Sequence, residues 1–86
     1  MLNNNITIKL NADDEHKIAK LVQMANEFES EIHLIKDNTQ VNCKSIMGVL
    51  AFDLKNNLVV NLKTSGSDET EAFEKIKKYL EEGLYV

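Results

Sequence analysis

Three times along this chain, strand-like spacing of apolar residues gives way to helical spacing, and that repeated switch limits the folds open to it. Ile6, Ile8 and Leu10 alternate with Thr7, Lys9 and Asn11, the period of a half-buried strand. From Asp14 the spacing is helical, with Ile18, Leu21, Val22, Ala25 and Phe28 on one face and Lys17, Lys20, Gln23 and Glu27 elsewhere. Asp13 or Asp14 is expected to cap that helix, where acidic groups suit the dipole. Glu31 to Lys36 and Thr39 to Asn42 are expected as strands joined by a tight turn at Asp37-Asn38. A short helix follows Ser45. Asn56-Asn57, tolerant of left-handed backbone, should turn the chain into a strand from Leu58 to Lys63 with Leu58, Val60 and Leu62 inward. Thr64 to Asp68 is expected as a loop ending in a cap at Ser67 or Asp68. The last helix should bury Ala72, Phe73, Ile76, Tyr79 and Leu80, and Gly83 should end it.

The order is therefore β-α-β-β-α-β-α. Helices with one apolar face, set against strands with one apolar face, imply an α+β fold of two layers. At 86 residues the chain can enclose one core, so a single domain over 1–86 is expected. No apolar run approaches the ~18 residues of a membrane span, and Met1 to Asn5 lack the basic flank and apolar centre of a signal peptide. The single cysteine, Cys43, has no disulfide partner and no zinc-ligand spacing. A cytoplasmic protein with no metal or cofactor is the simplest reading, with monomer and weak homodimer both left open. The net charge is -4 and every basic residue apart from the histidines is lysine, so neither a nucleic-acid face nor the bidentate phosphate clamp of arginine is available.

The chemistry-bearing stretch runs from Val41 to Phe52. Ser45 stands where a helix begins, with a hydroxyl able to cap free first-turn amides. Ile46, Met47, Val49 and Leu50 cannot all share one narrow stripe, so part of this helix must expose apolar surface. Val49 is the best core candidate. Met47 and Leu50, with Ile46, are expected to form a partner surface, methionine being an adaptable contact.

The run Asn42-x-Lys44-Ser45-Ile46-Met47-Gly48-Val49 resembles the regulatory-serine segment of the bacterial histidine-containing phosphocarrier family, HPr. Leu21-Val22-Gln23, Thr64 to Glu69 and Glu81 to Leu84 extend the resemblance nearly end to end. The resemblance implies an open-faced sandwich, a four-stranded antiparallel sheet covered by three helices. It implies phosphorylation of Ser45 by HPr kinase/phosphorylase and docking through Ile46, Met47 and Leu50, with a catabolite-control-type regulator as partner.

The family's phosphohistidine loop, of the form His-Ala-Arg-Pro-Ala, is not matched. Aligning Leu21-Val22-Gln23 puts Asp14 at the histidine position and His16 at the arginine position. Moving His16 onto the family histidine would need a deletion inside the helix, turning its apolar face by ~100° per residue. Asp13, Asp14 and Glu15 would also repel a phosphoryl group and compete for the same amides. His16 is therefore a weak phosphoacceptor candidate, more simply a solvent-facing residue, and His33 on a strand's outer face has no catalytic neighbour in sequence. No nucleophile-base pairing, metal spacing or glycine-rich phosphate loop points to autonomous catalysis. Three readings follow: a regulatory binding module controlled at Ser45, a phosphocarrier using His16 between enzyme I and enzyme IIA proteins, or a relic that has lost both sites.

Overall fold

The structure, a computed structural model, describes residues 1–9, 15–52 and 54–82, and of Glu15 only the backbone. Its elements are β1 (Leu2–Thr7), α1 (Glu15–Asn26), β2 (Glu31–Lys36), β3 (Thr39–Asn42), α2 (Ile46–Phe52), β4 (Val59–Ser65) and α3 (Glu69–Glu82). The four strands form one antiparallel sheet in the order β1-β4-β2-β3. This is the expected element order and fold class. The inward positions Ile6, Ile32, Leu34, Val60 and Leu62 meet Ile18, Leu21, Met24 and Ala25 of α1 and Ala72, Phe73, Ile76, Tyr79 and Leu80 of α3 in one core. The Tyr79 hydroxyl donates to the Lys17 carbonyl at 2.8 Å, so its polar end is partnered where the ring is buried.

The hairpin between β2 and β3 turns at Asp37, with φ 54°, and Asn57 has φ 71°; short polar side chains tolerate both. Several boundaries differ from those the spacing predicts. The first strand starts at Leu2 because Leu2 to Thr7 pair in register with Thr64 to Val59. Its alternation is masked by asparagines: Asn61 Nδ2 donates to Asn3 Oδ1 at 2.5 Å and Asn5 Oδ1 at 3.2 Å on the outer face. Ile8, past the strand end, still exchanges bonds with Asn57 and Leu58. α1 ends at Asn26, so Phe28 packs from the following turn rather than the helix, and Met24 joins the core face. Leu58 lies just outside β4 and is half-buried, whereas Thr64 continues the strand and is buried. Leu10, the expected caps Asp13 and Asp14, and the terminating Gly83 lie outside the described residues.

Asp68 occupies the cap position of α3, its carbonyl accepting the Ala72 N–H at 3.0 Å. Its carboxylate bonds across the fold instead. It accepts the N–H groups of Glu29 at 3.0 Å and Ser30 at 2.9 Å, and the Ser30 hydroxyl. These donors, the Ser30 hydroxyl foremost and then the Glu29 amide, hold the Asp68 carboxyl below the usual carboxylate range. Glu69 is also held low, by the Met1 amino group and then the Gly66 N–H. A folded value below the unfolded one means that the unfolded chain binds more protons in acid. The stabilisation is complete above the unfolded carboxylate value of about 3.9 and is lost as pH falls through the folded value. Thermal melts of the Asp68→Asn variant should therefore lose stability less steeply than the parent below about pH 4, Glu69 supplying the remaining slope. Equal slopes would show that the Asp68 contacts do not form in solution.

Candidate functional site around Ser45

The turn into α2 is built from side chains of β3 and α1. Asn42 Oδ1 accepts the Lys44 N–H at 2.9 Å and the Asn42 carbonyl accepts the Ser45 N–H at 3.0 Å. Such Asx turns stop a strand and present the next residues for capping. Lys44 Nζ donates to the Phe28 carbonyl at 2.7 Å. Asn26 Nδ2 donates to the carbonyls of Val22 at 2.8 Å and Lys44 at 3.2 Å. The end of α1 thus clamps the start of α2. Lys44 belongs to the motif around Ser45, but nothing local in the sequence says that it meets Asn26 across 18 positions.

Ser45 caps α2 as its position predicts. Its carbonyl accepts the Val49 N–H at 3.0 Å, the first helical bond, and its hydroxyl accepts the Gly48 N–H at 3.2 Å. A cap of this kind contributes about 1 kcal/mol. Ser45 is exposed, so its hydroxyl is both structurally used and open to solvent. Gly48 lets the helix sit close: a Cβ there would come within 2.9 Å of the Val41 side chain. Cys43, directly before this turn, is fully buried and donates its N–H to the Ile32 carbonyl at 2.9 Å. Burial pushes its thiol up to about 12, leaving almost no reactive thiolate at neutral pH.

Ile46, Met47, Val49 and Leu50 of α2 separate as expected. Val49 is 1% exposed and anchors the helix, whereas Ile46 is 44%, Met47 79% and Leu50 50% exposed. The offsets of three and four residues put Leu50 beside both Ile46 and Met47 on the surface. A contiguous apolar face therefore adjoins the Ser45 hydroxyl. The arrangement can present a serine to a modifying enzyme while offering apolar contacts to a binding partner.

His16 lies apart from this face in sequence, exposed in the first turn of α1. Asp13 and Asp14 fall outside the described residues, as does the Glu15 side chain. His33 stands on the outer sheet face, in register with Lys63 and Asn42. Among the described residues no group of His, Cys, Asp and Glu could hold a metal ion. No helix among them is long and apolar enough to cross a membrane.

Residues 4–82 match the family described as the PTS HPr component phosphorylation site. The HPr-like protein Crh of Bacillus subtilis (strain 168) is 37% identical over 83 residues, covering 95% of this chain and 98% of that protein. The crystal structure of a phosphocarrier protein HPr from Bacillus anthracis str. Ames superposes with a TM-score of 0.88 at 32% identity, covering 93% of this chain and 96% of that one. Crystalline B. subtilis Crh, described as a swapped dimer, gives a TM-score of 0.73 at 37% identity, covering 87% of this chain and 83% of that one.

Proposed function

The chain belongs to the HPr family, and on that premise we propose that it is a regulatory binding module rather than a phosphocarrier, switched by phosphorylation of Ser45. Its family comprises phosphocarrier and HPr-like proteins, and it is not an autonomous enzyme. The observation that carries the proposal is the exposed Ser45 cap adjoining the exposed Ile46, Met47 and Leu50. A phosphoryl group on Ser45 adds about 1.5 to 2 negative charges beside that apolar face. It would sit at the positive end of α2, so it changes what the face accepts without opposing the helix. Ser45 is modified by HPr kinase/phosphorylase in this reading, and a catabolite-control-type regulator reads the result. The module works in the cytoplasm as one domain, monomeric or weakly dimeric.

The competing reading, a carrier that takes phosphate from enzyme I on His16 and passes it to enzyme IIA proteins, draws support from the exposure of His16. Against it stands Asp14 at the family histidine position. One experiment separates them: parallel incubation with HPr kinase and ATP, and with enzyme I and phosphoenolpyruvate, followed by phosphosite mapping. The expected result is label on Ser45 only, abolished in Ser45→Ala, which should also lose about 1 kcal/mol of stability with its cap. Acid-labile phosphate on His16 would make the protein a carrier. Absence of label at both sites would leave the relic reading.

A further inference from the structure

The sulfur chemistry of the chain is divided between the core and the α2 face. Met24 is sealed in the core and Cys43 is buried with its thiol kept protonated. Met47, in contrast, is the most exposed large apolar side chain among the described residues, with Ile46 and Leu50 beside it. We propose that Met47 is an oxidation site through which peroxide converts the α2 face from apolar to polar, and through which reduction converts it back. The effect on Ser45 rests on the regulatory reading above.

The step balances. The Met47 thioether attacks one oxygen of hydrogen peroxide, the O–O bond breaks and an S–O bond forms. The sulfur is oxidised by two electrons, and the peroxide is reduced to water. In the return step, catalysed by methionine sulfoxide reductase, two thiols are oxidised to a disulfide, the S–O bond breaks and the oxygen leaves as water. The product carries a strong hydrogen-bond acceptor and a dipole in the middle of an apolar surface. The fold tolerates this because α2 is anchored by Val49 and capped by Ser45, and neither contact involves the Met47 side chain. An enzyme acting on Ser45 meets Met47 within the same turn of helix. Oxidation therefore changes the surface that such an enzyme must grip while leaving the acceptor hydroxyl intact.

The test uses the full chain, treated with hydrogen peroxide and sampled over time. Peptide mapping should find Met47 oxidised at least about tenfold faster than Met24, since access governs the reaction. Met1 is exposed as well, so a Met47→Leu chain treated in parallel isolates the Met47 contribution. The oxidised parent should elute earlier from a phenyl matrix with an unchanged melting temperature, and methionine sulfoxide reductase should restore its retention. HPr kinase should label the oxidised parent about tenfold more slowly than the reduced parent, whereas Met47→Leu should be labelled at its own rate before and after peroxide. Oxidation of Met24 as fast as Met47, or retention unaffected by peroxide, overturns the proposal. A reduced parent that the kinase does not label overturns the Ser45 reading alone, and mapping with phenyl retention then decides the oxidation site.

Discussion

Gly66→Ala is expected to destabilise the protein by about 3 kcal/mol, one of the largest effects of any single methyl group added to it. Gly66 has φ +151°, a conformation that side chains rarely adopt. A Cβ built there would lie 2.6 Å from Ser30 Oγ, 2.7 Å from Ser30 Cα and 2.9 Å from Ser30 Cβ. Relief by moving Ser30 is blocked, because its N–H and hydroxyl are both bound by Asp68. The new methyl must therefore push apart the loop after α1 and the loop before α3, breaking the Asp68 contacts. Urea unfolding measures this as a lowered midpoint at constant slope. Gly48→Ala is the comparison: its methyl would meet side-chain atoms only, Val41 Cγ2 at 2.9 Å and Ser45 Oγ at 3.4 Å, in a helical backbone that accepts alanine, and should cost less than Gly66→Ala. A Gly66→Ala loss of less than about 1 kcal/mol would show that the loops do not pack this closely.

The second large effect separates anchoring from display on one helix. Val49→Asp places a carboxylate in a site that is 1% exposed within the apolar core, removing an apolar contact and burying a charge. The expected cost is about 3 kcal/mol or more. Met47→Asp, two positions earlier, should change stability by no more than about 0.5 kcal/mol, since that side chain is mostly in solvent. Under the regulatory reading, Met47→Asp should nevertheless depress labelling of Ser45 by HPr kinase. Urea midpoints alongside labelling rates check both halves. Similar stability losses in the two variants would mean that α2 buries a different face.

Much of the Ser45 site was legible in the sequence because its determinants are local. A serine before an apolar run, followed three residues later by an amide needing an acceptor, specifies a cap with no help from distant residues. Four apolar residues in five positions likewise oblige a helix to leave some exposed. The clamp that aims the cap was not legible. Lys44 and Asn26 read as ordinary polar residues near helix ends, and only the packing of α1 against α2 brings them together. The reading that sets Asp14 at the family histidine position comes from the sequence, through the Leu21-Val22-Gln23 match, and Asp14 lies outside the described residues.

The sequence by itself determined which elements form and which of their faces are buried. Alternation at Ile32 and Leu34 and at Val60 and Leu62, and helical spacing from Ala72 to Leu80, are properties of neighbouring residues. The tertiary structure decided where the first strand starts, because only pairing with β4 makes a strand of Leu2 to Thr7 and its asparagines. It also decided what Asp68 does. Its carboxylate could have capped its own helix, yet amides 38 and 39 positions away hold it instead. Spacing reports the free energy of burying a face, which is set within a few residues. A hydrogen-bond partner depends on which loops the completed fold brings together.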